Sequence, residues 1–241
     1  AMRGGRHVVA YTESRGDEGM AVWSVALDPL GEVKARIDLT PANMSAAAPI
    51  FIAGSERLFF VDPREGLSVL LSSDVSGDRS APATTVRPLS NVFEPAVVAP
   101  VQLSEQRTVV GFTAMGQAAA TAVGLAWVEG DERPAPIPIV PSETYGALHV
   151  SAAALGDRVL FVADHATGRE RESSRNLHAR LARREDGQWR LSEPLVLAAP
   201  DGTGRWGHVA VDEDGTFGVT MTAGDGVYLH WLRCDAGSSG D

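Results

Sequence analysis

One pattern in the sequence constrains its fold more than any other: a short apolar segment returns about every 50 residues along the chain. Each copy is rich in β-branched or aromatic side chains, as strands buried on both faces are, and four of the five copies begin with arginine. The copies are RHVVAY from Arg6, RLFFVD from Arg57, RTVVGF from Arg107, RVLFVA from Arg158 and TFGVTM from Thr216. A regular interval of this kind indicates one structural unit used five times.

The residues around each copy predict a meander of four antiparallel strands. Hairpin-type turns, for example at 155–157 and 212–215, come before the last four copies, and strands of small residues such as 208–211 precede those turns. A third strand follows every copy, and a more polar fourth strand follows the first four. The third strands are predicted at 20–27, 67–73, 121–128, 177–182 and 227–233, and the fourth at 33–39, 84–89, 135–140 and 189–197.

This unit has the features of a blade of a β-propeller, in which the innermost strand is crowded near the axis and the outermost strand faces water. The stretches 8–17, 23–28 and 31–33, followed by Ala48 and Pro49, resemble the degenerate blade repeats of secreted bacterial proteins. The resemblance implies an all-β propeller of about five blades and identifies no particular family. The alternative is a β-sandwich, which also contains many short strands but does not need them at a constant interval.

The repeat also predicts the domain organisation. We expect a single domain over residues 1–235, because all-β domains often reach this length, and a disordered Gly/Ser-rich tail at 236–241. The first unit lacks a predicted first strand and the last lacks a fourth, so the terminal blades are expected to be incomplete. The unit boundaries are approximately 6–47, 48–96, 97–148, 149–206 and 207–235.

Charge and hydropathy exclude several classes of partner. The formal net charge of −10 argues against a nucleic-acid partner and against an anionic membrane surface. No apolar run approaches the roughly 20 residues of a membrane-spanning helix, so no membrane insertion is expected. The first five residues do not have the pattern of a signal peptide. Because the blade repeats resemble those of secreted proteins, we nevertheless expect an extracellular or periplasmic location, with the targeting segment absent from this sequence.

In a propeller, the loops that join strand four to the next strand one lie on the same face as the loops that join strand two to strand three. This face is the expected binding face. Aromatic rings at this face can stack on a sugar or an aromatic ligand, and three histidines that converge there could bind zinc or support acid/base chemistry. Packing between blades is the alternative role for the aromatic residues. The candidate ligand-binding residues are Tyr145, His149, His165, Arg169, Trp206 and His208.

Signatures of metal binding and catalysis are sparse. The histidines lack the H-x-H or H-E-x-x-H spacing of a metal site, and Asp212 and Asp214 form only a fragment of a calcium loop at a position where Asp-Gly turn chemistry is common. A glycosidase would need two carboxylates flanking the scissile bond. The acidic candidates for that role are Glu13, Asp17, Asp62, Asp164 and Glu170.

The sequence therefore predicts a non-catalytic binding or scaffold domain that recognises a protein or glycan through its loop face, without a cofactor. The alternative function is a carbohydrate-active hydrolase, sialidase-like or glycosidase-like, that uses acidic residues of the same face.

Overall fold

A computed structural model of the chain shows a protein that is nearly all β. It describes residues 2–3, 6–40, 45, 47–51, 57–64, 67–74, 84–90, 98–104, 107–115, 120–127, 149–166, 175–200, 203–224 and 226–233. Within those ranges the helical content is one 3-10 turn, Gly16–Glu18. No helix among the described residues is long and apolar enough to cross a membrane.

The chain divides into two compact units, Ala1–Gln102 with Ala114–Ala118, and Leu103–Thr113 with Ala119–Asp241. The first unit contains two antiparallel sheets whose strands follow in chain order. The first sheet consists of β1 (Met2–Arg3), β2 (Arg6–Ser14), β3 (Met20–Leu27) and β4 (Val33–Asp38). The second consists of β5 (Ala47–Phe51), β6 (Arg57–Arg64), β7 (Leu67–Asp74) and β8 (Thr84–Ser90).

Three further sheets follow along the chain. The third, whose residues are divided between the two units, consists of β9 (Val98–Ser104), β10 (Arg107–Met115) and β11 (Ala120–Trp127). The fourth consists of β12 (Val150–Leu155), β13 (Arg158–Ala166), β14 (Arg175–Glu185), β15 (Gln188–Leu191) and β16 (Leu195–Leu197). The fifth consists of β17 (Arg205–Val211), β18 (Thr216–Ala223) and β19 (Gly226–Arg233).

The repeated segments occupy one equivalent place in all five sheets. Each copy forms the second strand of its meander, as β2, β6, β10, β13 and β18, which confirms the interpretation of the repeat.

Two predictions were wrong in detail. The first sheet does have a first strand, the two-residue β1, and the predicted fourth strand at 189–197 is two strands, β15 and β16, that both pair with β14. The predicted strand at 135–140 and the tail at 236–241 lie outside the described residues.

Turn chemistry explains how the hairpins form. At the turn between β3 and β4, the carboxylate Oδ1 of Asp28 accepts hydrogen bonds from the backbone N–H groups of Leu30 and Glu32, both at 2.9 Å. Gly31 adopts a φ of 84°, which glycine tolerates without steric cost. Asp212 has the same role between β17 and β18, where its Oδ1 accepts from the N–H of Thr216 at 2.8 Å. The turn at Asp28 is an Asx turn, and the carboxylate of Asp212 closes its own turn through the backbone N–H four residues on.

Each unit has its own apolar core. In the first unit, four buried side chains from the first two sheets and from the residue after β4 pack together, namely Val22, Leu39, Leu58 and Phe60. In the second unit, the fourth and fifth sheets share a larger cluster, namely Ala153, Leu160, Val162, Leu177, Ala179, Leu197, Ala199, Phe217, Val219, Met221 and Ala223. A hydrogen bond of 3.1 Å from the N–H of Val209 to the hydroxyl of Ser151 connects β17 to β12. The fourth and fifth sheets are therefore held face to face by a shared apolar core and by polar contacts between their strands.

Candidate functional site

The structure brings three of the six predicted ligand-binding residues together. The His149 ring lies 5.7 Å from the Trp206 ring and 4.9 Å from the His208 ring, between centroids, and both contacts are edge-to-face. We call these three side chains the Trp206 platform. His165 lies near the end of β13. Tyr145 and Arg169 lie outside the described residues.

Trp206 reaches the surface through an irregularity in β17. The pairing of β17 with β18 shifts register between Arg205 and His208, and Trp206 lies within the shift at a φ of 52°. A positive φ is a genuine outlier for a bulky residue. The side chain is 52% exposed. The sequence prediction placed Trp206 ahead of the first strand, whereas it is part of that strand at a bulge, which turns its side chain outward.

Two glycines allow the bulge to approach the core. A Cβ atom on Gly207 would lie 2.7 Å from Val162 Cγ1 and 2.8 Å from Leu177 Cδ1. A Cβ on Gly204 would lie 2.8 Å from the sulfur of Met221. Real Cβ atoms do not approach so closely, so only glycine fits at these two positions in this backbone. The bulge is therefore pressed against the buried cluster while Trp206 faces outward.

Asp164 holds the backbone of His149 in place. The N–H of His149 donates to Asp164 Oδ1 at 2.7 Å, and the N–H of Asp164 donates to the carbonyl of His149 at 3.2 Å. The second carboxylate oxygen of Asp164 accepts from Arg175 Nη1 at 3.4 Å, and the carbonyl of Arg175 accepts from the N–H of Gly204 at 2.6 Å. Asp164 is 1% exposed. This chain of bonds joins the segment before β12, the end of β13, the start of β14 and the segment before β17.

The two imidazoles of the platform differ in environment. His208 is exposed and His149 is partly buried. Burial lowers the pKa of His149, and the nearby charge of His208 lowers it further, whereas Asp164 and a backbone hydrogen bond with Gly207 act in the opposite direction. His149 is therefore stabilised as the neutral imidazole, which has one ring N–H donor and one acceptor nitrogen.

The acidic candidates have separate structural roles where the structure describes them. Asp164 is engaged by Arg175 and by the backbone of His149. Glu13 forms an ion pair with Arg36, whose guanidinium carbon lies 4.2 Å from the centroid of the Trp23 ring. Asp17 is exposed in the 3-10 turn. The side chain of Asp62 and all of Glu170 lie outside the described residues.

No three His, Cys, Asp or Glu side chains within the described ranges are grouped so that they could hold a metal ion. Asp212 participates in its turn through its side chain, and Asp214 is exposed in the same turn. Calcium binding at Asp212 and Asp214 stays a prediction.

Sequence reasoning missed the residues that support the platform. Gly204, Gly207 and Arg175 were not recognised, and Asp164 was considered only as a possible catalytic carboxylate. The tetrapeptide Arg205-Trp206-Gly207-His208 contains the one local signal: a glycine between two large residues in a strand indicates a bulge or a close backbone approach.

Comparison with solved structures identifies the fold. TolB from Acinetobacter baumannii is similar with a TM-score of 0.54 and 11% identity, over 97% of this chain and 51% of that chain. The NanB sialidase from Streptococcus pneumoniae has a TM-score of 0.54 and 15% identity over 84% and 32%. The acylaminoacyl peptidase from Pyrococcus horikoshii has a TM-score of 0.50 and 12% identity over 96% and 44%.

The similar structures are β-propeller proteins, which confirms the predicted resemblance to propeller repeats. The chain covers about half of TolB and about a third of the sialidase. No protein-family model matches the chain, and no curated protein matches its sequence. At these identities the likeness concerns the fold.

Proposed function

We propose that this chain is a non-catalytic β-propeller domain of about five blades that binds a glycan at the Trp206 platform. The observation that carries the proposal is the indole of Trp206, half exposed at a strained backbone position with two imidazole rings close by. Five sheets within the described residues support the number of blades. An extracellular or periplasmic location is part of the same proposal.

The chemistry of the platform suits a sugar. An exposed aromatic ring supplies a large, rigid apolar face at low cost in side-chain entropy, and the C–H face of a pyranose can pack on it. The exposed imidazole of His208 beside it can donate and accept hydrogen bonds to hydroxyl groups. A few polar groups around one apolar surface are the usual composition of a small-ligand site.

Binding is favoured over hydrolysis by the state of Asp164. This carboxylate is bonded to the backbone of a platform residue, but both of its oxygens are already engaged, by the backbone N–H of His149 and by Arg175. A glycosidase acid or nucleophile must be able to reach the glycosidic oxygen or the anomeric carbon. An almost fully buried carboxylate that supports a loop is suited to positioning His149 instead.

The experiment is a screen of the full chain against an array of immobilised neutral and acidic glycans, followed by calorimetric titration of the best ligand. We expect Trp206→Ala to weaken binding at least about tenfold, because truncation of an aromatic anchor commonly costs about 2 kcal/mol or more. Trp231→Ala is the matched control, since Trp231 is an exposed tryptophan of the same sheet. Equal losses in the two variants, or an array without any bound glycan, would contradict the proposal.

A further inference from the structure

A row of three arginines crosses the fourth sheet at the end opposite to the platform. Arg158 of β13 lies directly opposite Arg183 of β14, and Arg183 lies directly opposite Arg190 of β15. Residues directly opposite each other in antiparallel strands project from the same face, with Cβ atoms about 4.5–5.5 Å apart. The three side chains therefore leave the sheet on one face, at the end of the face that packs on the fifth sheet through Leu160 and Val162. We call these residues the arginine row.

The row is distant from the Trp206 platform. Arg158 begins β13, and Asp164, which holds His149, lies six residues further along the same strand. At about 3.4 Å per residue, this separation is roughly 20 Å. A ligand bound at the arginine row therefore occupies a different site from a sugar bound at the Trp206 platform.

The charge of the row is only partly neutralised within the chain. Arg190 forms an ion pair with Glu185 at 3.2 Å, in which both side chains are exposed. Arg158 also has an interaction with another residue. The side chain of Arg183, in the middle of the row, forms no hydrogen bond or ion pair with any residue in the described part of the chain, although Arg183 is partly buried.

Acidic residues nearby do not supply the missing partner. Asp157 and Asp186 lie in the two hairpin turns at this end of the sheet, and neither forms an ion pair with Arg183. Like charges directly opposite each other destabilise a sheet. A protein with a net charge of −10 has many acidic side chains, yet none among the described residues pairs with the side chain of Arg183 in the middle of this row.

We infer that the arginine row binds an anionic polysaccharide, one that bears sulfate or carboxylate groups along its length. Guanidinium groups match both oxyanions through parallel N–H donors. Because neighbouring strands are about 4.8 Å apart, the three arginines form a line of about 10 Å and do not enclose a single ion. A linear polyanion can contact all three at once and supply a partner for Arg183.

The test uses dextran sulfate and uncharged dextran of the same length with the full chain, measured by calorimetric titration at low salt. Arg183→Gln removes the central charge, and Arg233→Gln, an exposed arginine at the end of β19, is the matched control for the change in net charge. We expect saturable binding of dextran sulfate and none of dextran. Arg183→Gln should weaken binding about tenfold and Arg233→Gln less than about twofold, since hydrogen bonds to charged groups are among the strong ones.

Two further measurements distinguish the arginine row from the platform and from a general loss of folding. Trp206→Ala should leave the affinity for dextran sulfate unchanged, so failure of the platform and failure of the row are distinguishable. The melting temperature of Arg183→Gln should stay equal or rise, because a like-charge contact is removed. Absence of dextran sulfate binding, equal weakening by Arg183→Gln and Arg233→Gln, or equally strong binding of inorganic sulfate at the same total charge would each overturn the inference.

Discussion

The fifth sheet has two exposed tryptophans that reach the surface in different ways. Trp231 is 67% exposed and belongs to β19, where alternate side chains face outward in a regular strand, Val227 and Leu229 among them. Trp206 is 52% exposed but lies in an irregular stretch of β17, at a positive φ. The regular alternation of β19 suffices to expose Trp231, whereas Trp206 needs a specific local distortion.

The difference shows that exposure alone does not define a binding residue. A non-glycine residue in a sparsely populated backbone region costs on the order of 1–3 kcal/mol and persists only where its surroundings hold it. Around Trp206 those surroundings are Gly207 against the core and His149 fixed by Asp164. Trp231 packs over Gly218, whose added Cβ would lie 3.0 Å from the indole. Strained conformations concentrate at functional sites, which is why the platform is the better candidate.

The largest effect is expected from Asp164→Ala. This change leaves Arg175, with a side chain 12% exposed, without its buried carboxylate partner, and it removes the acceptor for the N–H of His149. Removal of one member of a buried ion pair typically costs about 3–5 kcal/mol. Urea denaturation should show this loss, and glycan binding at the platform should weaken at the same time.

Glu213→Ala is the control for that variant, because Glu213 is an exposed carboxylate in the turn between β17 and β18. Its free energy of unfolding should change by no more than about 0.5 kcal/mol. A similarly small effect of Asp164→Ala would show that Asp164 does not support the platform.

A glycine pair tests the two tryptophan regions directly. In Gly207→Ala the new methyl group would meet two buried side chains, Val162 and Leu177, which cannot move without disturbing the core. Overpacking of this kind costs about 1–3 kcal/mol. In Gly218→Ala the methyl group meets the exposed indole of Trp231, which has room to shift. Alanine also lowers the conformational entropy of the unfolded chain, which favours the folded state. Thermal unfolding should therefore show a clear loss for Gly207→Ala and little change or a small gain for Gly218→Ala.

Much of the fold could be predicted because the repeat is local in sequence. The five second strands are short apolar runs at a constant interval, and the structure places all of them in equivalent positions. Two features escaped that reasoning for physical reasons. The strand β1 has only two residues, too few to show any periodicity. The predicted strand 189–197 is interrupted at Pro194, which has no N–H for the ladder.

The candidate site could be predicted only in part. His149, Trp206 and His208 were selected because they belong to one set of loops, and they do lie together. Their mutual contacts depend on the packing of the fourth sheet against the fifth, which brings residues distant in sequence together. The positive φ of Trp206 also depends on this packing, and no local preference of tryptophan predicts it.

Replacement of each tryptophan by glycine should change stability in opposite directions. In Trp206→Gly the backbone strain at a φ of 52° disappears, so the free energy of unfolding should rise by up to about 1 kcal/mol while glycan binding is lost. In Trp231→Gly a regular strand loses a side chain with high β-propensity, and stability should fall by about 1 kcal/mol with binding retained. Chemical denaturation and calorimetric titration of both variants measure the two quantities. A loss of stability in Trp206→Gly as large as that in Trp231→Gly would remove the distinction between the two regions.

The smallest effect is a pH dependence of stability that arises at the platform through His149. Burial is the main cause of its lowered pKa, with the charge of His208 second, so the folded protein takes up a proton at His149 less readily than the unfolded chain does. Stability is then fully present above the unfolded value of 6.5 and falls as the pH drops from there towards the lower folded pKa. Urea denaturation between pH 7.5 and pH 5 should show this fall, and His149→Gln should reduce its slope.

His178, whose pKa is also lowered by burial, should maintain part of the slope in that variant. His7→Gln, at an exposed histidine of β2, is the control for the substitution itself. Equal slopes in the wild type and His149→Gln would mean that the imidazole beside Trp206 is as accessible to protons as a solvent-exposed one, which would contradict the packing of the platform.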